Sequence, residues 1–360
     1  MMTSIWAAAI VLGGCVLFHE LGHFIVARLA GVEVTTFSVG FGPRLFGIKR
    51  GPTDYRLSLI PLGGYVRMLG EHPDEELDPA KKPFSFSHKP VGRRLAIVAA
   101  GPISNLILAV LIFSVILLLY GQPTLLPEVG KVLDGYPAQA AGIEDGDIIT
   151  ALDGRRVETW DEMADLIKAN PGRPMRITVT REGRTQELTM VPKMGESSDL
   201  FGEAINKPMI GISPSGRTKI VELDLTSALL GGFVQTWEVT RLTAETVVRL
   251  VQARIPFSTL GGPIFIAQAA GRQAKAGLVN LFFLMGLLSV NLAILNILPV
   301  PVLDGGHLLF FGIEAVFRRP VSVKTRERAQ QVGLVLILIF FSVVFYNDII
   351  RLITSFGGPQ

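Results

Sequence analysis

The fold is decided near the start of the chain by the stretch LFHELGH, residues 17–23. It lies inside an apolar run, Ile5–Leu29, that has no charged residue before His19. At about 1.5 Å per residue, a helix of this length crosses the ~30 Å hydrocarbon core of a bilayer. Residues four apart share one face of a helix, so His19 and His23 can offer two imidazoles to one metal ion.

The stretch matches the pattern H-E-x-x-H, which supplies two zinc ligands and a general base for hydrolysis. Glu20 follows His19 about 100° round the helix, close enough to act on a water held by the same metal. The alternative, a chance match with structural histidines, is expected in roughly a few sequences per thousand. Three ionisable groups within two turns of an apolar span are costly in hydrocarbon and favour the metal site.

Composition limits the class of protein. The 360 residues are 49% hydrophobic and 18% charged, too apolar for a soluble globular protein and too charged for one buried entirely in membrane. The net charge of +3 comes without a basic cluster interleaved with aromatics, so no nucleic-acid partner is expected. Cys15 is the only cysteine, which excludes a disulfide and a Cys-based zinc site. The N-terminal apolar run is too long for a signal peptide and predicts a retained helix.

Four apolar spans are predicted, and the charge of their loops orients them. The spans are Ile5–Leu29, Leu95–Tyr120, Leu278–Leu298 and Val332–Ile350. Lysine and arginine concentrate after the first span and after the third, whereas the two chain ends carry almost none. The positive-inside rule therefore puts both basic loops in the cytoplasm and both termini outside. The H-E-x-x-H group is then inside the membrane, nearer the cytoplasmic face.

The loop after the first span, residues 31–94, is rich in glycine and β-formers. Residues 34–43 and 55–66 are predicted as strands bounded by turns. This region is too apolar for an ordinary cytoplasmic loop. Either it dips toward the site and presents a sheet edge to an extended peptide, or it is a structural sheet that closes the helices.

The segment between the second and third spans contains a separate module. Its strand, helix and turn signals, with the run PAQAAGIEDGDII at residues 137–149, resemble PDZ domains of the bacterial permuted type. PDZ domains bind peptides by strand addition, so a peptide or substrate segment is an expected partner. The alternative is a steric filter that binds nothing tightly. A polar linker, residues 195–216, and an amphipathic helix containing Trp237 follow.

The third span ends in the sequence NLAILNILPVPVLDGGH, residues 291–307. Pro299 and Pro301 cannot sit in a regular helix, so the backbone is expected to unwind. Asp304 then faces inward and can be the third metal ligand, with an N-cap of the following helix as the alternative. Two histidines and one aspartate leave a fourth position for water, as catalytic zinc requires. Asn105, in the second span, is expected to have a packing role rather than a catalytic one.

These motifs together resemble the site-2 protease family, in particular its bacterial regulator-of-sigma-E branch. They are H-E-x-x-H, G-P-x-x-N at residues 101–105, the PDZ-like insertion, and N-x-L-P-x-P-x-L-D-G-G at residues 296–306. The resemblance implies zinc held by His19, His23 and Asp304, with Glu20 as catalytic acid and base. It implies cleavage of the transmembrane segments of single-pass proteins, such as anti-sigma factors or signal-peptide remnants, in the lipid bilayer of a bacterial inner membrane.

The resemblance also implies a role in substrate binding for a second set of residues: Gly40, Phe41 and Gly42 in the β-loop, and Asn296 in the third span. One departure is that some members carry two PDZ domains, whereas this chain has room for one. Two other functions remain open. One is a catalytically inactive PDZ scaffold in the membrane, and the other is a transporter with a broken helix, which is disfavoured because no inverted repeat is visible.

The predicted fold is a polytopic α-helical membrane protein with about four transmembrane helices, one of them broken. It carries a membrane-associated β-loop and an inserted extracytoplasmic PDZ domain of the α+β class. The predicted segments are 1–30 (first helix), 31–94 (β-loop), 95–120 (second helix), 121–194 (PDZ), 195–276 (linker and amphipathic helices outside the membrane), 277–317 (broken third segment) and 330–353 (fourth helix).

Overall fold

A computed structural model describes residues 2–71, 76–198 and 201–357. Residues 72–75 of the predicted β-loop and residues 199–200 of the predicted linker lie outside this described part. The chain forms two compact units. The membrane unit comprises Met1–Ile116 with Leu225–Gln360, and the inserted unit comprises Leu117–Asp224.

The first part of the membrane unit consists of two long helices and a sheet between them in sequence. Its elements are α1 (Met2–Leu29), β1 (Val34–Arg50), β2 (Thr53–Met68), a short 3-10 helix (Pro79–Phe84) and α2 (Val91–Tyr120). Helices α1 and α2 approach closely because Gly22 has no side chain where Ala100 and Ser104 lie against it. This contact fixes the two helices that form one wall of the site.

The sheet is more elaborate than the two predicted strands, because β1 and β2 each contribute two segments. Phe37 pairs with both Val66 and Tyr55, and Tyr55 pairs on its other side with Ile48. The order across the sheet is therefore 64–68, 34–41, 54–60 and 44–50. β1 bends at Gly40 and Gly42, whose φ angles of 91° and 89° are accessible to glycine and rarely to other residues. The two outer segments are the edges of the sheet.

The inserted unit contains small helices and many short strands. They are β3 (Gln122–Leu125), β4 (Val129–Val132), α3 (Pro137–Ala140), β5 (Ile148–Leu152), β6 (Arg155–Arg156), α4 (Trp160–Lys168), β7 (Met175–Arg181), β8 (Arg184–Met190), β9 (Lys193–Ser198), β10 (Ala204–Met209), β11 (Ile212–Pro214) and β12 (Thr218–Val221). A four-stranded sheet of order β6-β5-β7-β8 packs its buried Ile149 and Ile177 in one core with Met163 of α4.

The inserted unit continues beyond residue 194, where the sequence predicts a linker. β9 and β10 form a hairpin, and β11 and β12 return to pair with β4 and β3. Within the predicted polar linker, residues 195–216, the described residues 195–198, 204–209 and 212–214 are therefore strands. Their side chains are largely polar because the hairpin is exposed on the surface, which gave the sequence the composition of a loop.

The second part of the membrane unit is helical: α5 (Leu225–Val251), a 3-10 turn (Phe257–Thr259), α6 (Pro263–Ala276), α7 (Leu278–Ile297), α8 (Asp304–Phe317) and α9 (Val323–Gly357). Small residues form the buried face of α5, where Gly232 lies against Ser114 of α2 and Thr236 is also buried. Its large apolar side chains, Phe233 and Trp237, are 62% and 59% exposed. The protein contact thus uses the small side chains of α5.

Four of these helices are long and apolar enough to cross a membrane: Thr3–Leu29, Val91–Tyr120, Leu278–Ile297 and Val323–Thr354. The prediction of four apolar helices is confirmed. The second and fourth helices begin before their predicted apolar spans, because helical hydrogen bonding continues through the basic residues that precede each span.

The predicted break in the third span is also confirmed. α7 ends at Ile297, and α8 begins only at Asp304 after the two prolines. Leu303 donates its N–H to the Val300 carbonyl at 2.9 Å, which closes the turn. A side chain on Gly306 would come within 2.5 Å of the Val300 oxygen, so the glycine lets α8 start directly against this turn. The turn fixes the position of Asp304.

Candidate metal centre

The two histidines of α1 form one side of the centre. His19 and His23 are 8% and 9% exposed, and their Nε2 atoms lie 3.2 Å apart. Their spacing of one helical turn brings both imidazoles to the same face, as predicted.

Asp304 completes the cluster from the first turn of α8. Its Oδ2 lies 3.0 Å from His19 Nε2 and 3.4 Å from His23 Nε2. The ligand atoms of the three residues all lie within 4.8 Å of one another. The position before the helix is occupied by Leu303, which makes no side-chain cap. The carboxylate of Asp304 therefore points at the histidines, and the alternative that it is an N-cap is not supported.

The hydrogen bonds of these groups suit a cation. Asp304 Oδ2 is buried and has no hydrogen-bond partner among the described residues, although two imidazole nitrogens are near. His23 Nδ1 lies 2.8 Å from the carbonyl oxygen of Ile97. Because a carbonyl can only accept, the proton must be on Nδ1, and the lone pair of Nε2 faces the centre. Two imidazoles and a carboxylate are a donor set that zinc prefers.

Space for the imidazoles is left by a glycine of α2. A Cβ on Gly101 would lie 2.7 Å from Cε1 of His19 and would also collide with the His23 ring. Any larger residue at this position would displace both histidines. The glycine of the G-P-x-x-N motif thus has a steric role at the centre.

His19 is supported from behind by two amides. The Nδ2 atoms of Asn105 and Asn296 both lie 3.5 Å from His19 Nδ1. The nitrogen and oxygen of an amide are assigned from their partners, and Oδ1 of Asn105 is buried without one. If the Asn105 amide is turned round, Oδ1 accepts the Nδ1 proton and Nε2 of His19 is left free for metal. Asn105 therefore lies directly behind a ligand, in addition to the packing role that the sequence favoured.

Glu20 connects the centre to the sheet. Its Oε2 accepts a hydrogen bond from the N–H of Val66 at 3.0 Å. Val66 lies in the edge segment 64–68, where a Cβ on Gly64 would lie 2.6 Å from the carbonyl oxygen of Ser38 in the neighbouring segment. Among the described residues Oε1 of Glu20 accepts no hydrogen bond and is available to a water. The edge of the sheet thus lies beside the Glu20 carboxylate, which both predicted roles for the sheet allow.

The predicted substrate residues of the β-loop lie at the tip of the sheet. Gly40, Phe41 and Gly42 form the bend of β1, and Phe41 pairs with Ile60. Phe41 is 45% exposed, and its ring stacks on Tyr65 at 6.2 Å. In the described part of the chain no hydrogen bond or ring contact joins the three to His19, His23 or Asp304, and their role in substrate binding remains a prediction.

Sequence reasoning did not find the backbone groups of the centre. The carbonyl of Ile97 and the N–H of Val66 are present in every residue, so no side-chain pattern could mark them. Asn105 had a signal in its motif, but its partner His19 is distant in sequence.

A model of peptidase family M50 matches residues 7–340 of the chain. The chain belongs to peptidase family M50. It is 38% identical to a protein of Agrobacterium fabrum that is named as a zinc metalloprotease, over 96% of this chain and 95% of that one. It is 29% identical to the regulator of sigma-W protease RasP of Bacillus subtilis, over 98% of this chain and 99% of that one. This M50 member is accordingly a membrane protein and a zinc metalloprotease.

A solved PDZ domain of an SdrC-like protein from Listeria monocytogenes is similar to 24% of the chain and matches over 84% of its own length, with 26% identity and a TM-score of 0.19.

Proposed function

We propose that this M50 protein is an intramembrane endopeptidase that cuts transmembrane segments of single-pass membrane proteins, as in regulated intramembrane proteolysis. His19, His23 and Asp304 hold its zinc, and Glu20 is the general base. The observation that carries the proposal is the convergence of three ligand atoms within 4.8 Å, contributed by a candidate membrane span and by the helix that follows another. Buried ionisable groups at this depth are costly unless they have a partner such as a metal ion.

The chemistry follows from the positions of the side chains. Bound zinc supplies an acidified water and polarises a peptide carbonyl. Glu20 lies next to His19 in sequence, so its free Oε1 can take the proton of that water. The hydrogen bond from Val66 holds the other oxygen and keeps the carboxylate oriented. The water oxygen would form a bond to the peptide carbonyl carbon, and the C–N bond would break as Glu20 returns the proton to the amine nitrogen that leaves.

The substrate must be extended to react, because a helix hides its carbonyls in i→i−4 hydrogen bonds. The edge of the sheet beside Glu20 provides backbone groups for strand addition. Gly40, Phe41 and Gly42 at the tip, and Asn296 behind His19, are the residues proposed to contact the extended segment. Asn296 is half-buried, whereas Asn105 is fully buried, so Asn296 is the amide that can turn toward a substrate.

The location proposed is a bacterial inner membrane. The lysine and arginine distribution supports a cytoplasmic β-loop, with both termini and the inserted unit outside and the active site nearer the cytoplasmic face. The substrate class proposed is a membrane-anchored anti-sigma-factor-like protein, since one relative is named as a regulator of sigma-W protease. The inserted unit is proposed to bind a peptide or substrate segment by strand addition.

The test is cleavage of a tagged single-pass substrate by the purified full chain. Glu20→Gln should keep zinc and lose hydrolysis by at least about 10³-fold, because the base is removed while the ligands stay. Glu327→Gln, on an exposed surface of α9, is the matched control and should cleave normally. Zinc-loaded Glu20→Gln protein with undiminished cleavage would contradict the proposal.

The same experiment separates the scaffold function. A catalytically inactive scaffold would give no zinc-dependent cleavage in the parent chain, and Glu20→Gln would change nothing. Removal of zinc with a chelator and restoration of cleavage by added zinc would exclude that alternative.

A further inference from the structure

A charged cavity lies at the base of the sheet, away from the tip that carries Phe41. It has a volume of about 710 Å³, and its lining includes four cationic side chains and two carboxylates. The cations are Arg44, Lys49, Arg56 and Lys81, and the carboxylates are Glu33 and Asp54. The surplus of positive charge is typical of a site for an anion.

One carboxylate is already neutralised within the cavity. Asp54 Oδ2 lies 2.7 Å from Arg56 Nη2, and its Oδ1 lies 3.4 Å from Arg44 Nη2. Arg44 can fold back in this way because Gly47 has no side chain: a Cβ there would lie 2.7 Å from Arg44 Nε. Two guanidinium groups are thus held at the cavity wall by a single carboxylate.

The remaining cations have no such partner. Lys49 and Lys81 are exposed and make no ion pair among the described residues. The Nε of Arg56 is buried and has no hydrogen-bond partner in the same part of the chain. An anion in the cavity could accept from the exposed ammonium groups of Lys49 and Lys81, and phosphate oxygens accept several such hydrogen bonds at once.

The position of the cavity indicates the source of the anion. Glu33 follows the end of the candidate span Thr3–Leu29 by four residues, so the cavity lies where that helix leaves the hydrocarbon. The edge segment 44–50, which contributes two of the cations, also exposes Phe46 and Ile48 at 72% and 75%. Cationic and apolar side chains on one edge match a phospholipid, whose phosphate and acyl chains are joined.

We propose that this cavity binds the headgroup of an anionic phospholipid, with Arg44, Lys49 and Lys81 around the phosphate and with Phe46 and Ile48 against the acyl chains. Such a lipid would hold the base of the sheet at the membrane surface. The site is distinct from the zinc centre, and its test does not depend on proteolytic activity.

The experiment is native mass spectrometry of the full chain, released from detergent after titration with phosphatidylglycerol. The double variant Lys49→Gln with Lys81→Gln removes two exposed charges that form no ion pair with a described residue. Its affinity should fall roughly 30-fold, at about one factor of five per lysine near a membrane surface. The control is Lys131→Gln with Lys275→Gln, which removes two exposed lysines outside the cavity.

Two further measurements distinguish a phospholipid headgroup from free inorganic phosphate. Zwitterionic phosphatidylcholine should bind more weakly than phosphatidylglycerol, and millimolar inorganic phosphate should not displace the bound lipid. The proposal is overturned if the two double variants bind phosphatidylglycerol equally, or if phosphatidylcholine binds as tightly. Displacement by inorganic phosphate would overturn it in favour of a free-phosphate site.

Discussion

Asp147, which is buried, and Asp304, which is partly buried, both face positively charged or imidazole groups, but their carboxylates are satisfied in opposite ways. Asp147, in the inserted unit, accepts hydrogen bonds from Arg181 Nε and Nη2 at 2.7 and 2.8 Å and from the Glu144 N–H at 2.9 Å. Asp304, in the membrane unit, has two imidazole nitrogens within 3.4 Å of Oδ2 and no hydrogen bond to that atom from the described residues. The first carboxylate is saturated, and the second is left open.

A third aspartate shows that the membrane unit can also saturate a buried carboxylate. Asp348 of α9 accepts hydrogen bonds from the N–H groups of Gly262, Ile264 and Phe265 at the start of α6, at 2.9 to 3.0 Å. The open arrangement of Asp304 is therefore a local property of its site. A carboxylate with unused lone pairs between two imidazoles is what a bound cation requires.

The largest expected effect is on zinc affinity, which should depend on Asp304 and not on Asp147. Asp304→Ala should lower zinc affinity by more than about 100-fold, since even the loss of a group behind a ligand costs 10–100-fold. Asp147→Ala should leave zinc content unchanged. Zinc analysis of both purified variants by mass spectrometry is the measurement, and retention of wild-type affinity in Asp304→Ala would break the comparison.

The stability of the inserted unit should show the opposite dependence, on Asp147 and not on Asp304. Asp147→Ala should lower its free energy of unfolding by about 2 kcal/mol, discounted because Arg181 is partly in solvent. Asp304→Ala should not change it. Amide hydrogen exchange of β5 and β7 in the full chain reports this quantity, and equal protection in both variants would mean that Asp147 is not a structural partner.

The next prediction concerns the two amides behind His19 and tests which of them holds the Nδ1 proton, so that Nε2 is left free for metal. Asn105→Leu should lower zinc affinity about 10-fold or more, because Oδ1 no longer fixes the Nδ1 proton of His19. Asn296→Leu should change it less than about threefold, because one proton can be held by one amide. The measurement is competition with a chelator of known affinity. The reverse order would assign Asn296, and not Asn105, to the support of His19.

The smallest expected effect is the pH dependence of the stability that Asp147 and Arg181 give to the inserted unit. Burial alone would raise the pKa of Asp147, but the hydrogen bonds from Arg181 and Glu144 and the charge of Arg181 outweigh it and lower that pKa. Its stabilising contribution is therefore full above the unfolded value near 3.9 and is lost as pH falls through the lower folded pKa. In Arg181→Gln the charge and the two hydrogen bonds of the guanidinium are lost and only the Glu144 N–H still opposes burial, so the pKa of Asp147 is higher than in the parent. Protonation of Asp147 on acidification then removes its uncompensated buried charge from the variant.

The difference in unfolding free energy between parent and Arg181→Gln should consequently be largest at pH 7 and narrow as the pH falls toward the lowered folded pKa of Asp147 in the parent. Hydrogen exchange of the inserted unit in the full chain at several pH values measures it, with Arg176→Gln on the exposed face of β7 as the control. A gap that does not change with pH would show that Arg181 stabilises the unit only by packing.

The sequence predicted which side chains meet at the candidate centre, because their signals are local or chemically rare. Histidines four apart in an apolar span identify a face of one helix, and prolines identify where another must unwind. The inward orientation of Asp304 followed from the break at Pro299 and Pro301, which the structure contains. Each of these predictions rests on a pattern within one helix or one turn and does not require knowledge of which distant segments pair.

Features that depend on pairing between distant segments were not predictable. β11 and β12 form because they pair with β4 and β3, far away in sequence, and the hairpin β9–β10 precedes them. The double use of β1 in the sheet follows from a bend at Gly40 that no periodicity marks. The buried face of α5 consists of small residues such as Gly232, whereas the sequence prediction relied on large apolar residues such as Trp237, which is exposed.

X-ray absorption at the zinc edge of the purified full chain tests the central assignment most directly. The zinc should be bound by two imidazole nitrogens, from His19 and His23, and by two oxygens, from Asp304 and a water, at about 2.0–2.1 Å. Cys15 lies one helical turn before His19 but is buried with its Sγ toward the Met285 carbonyl. A sulfur scatterer at about 2.3 Å, or a single imidazole in the shell, would contradict the account.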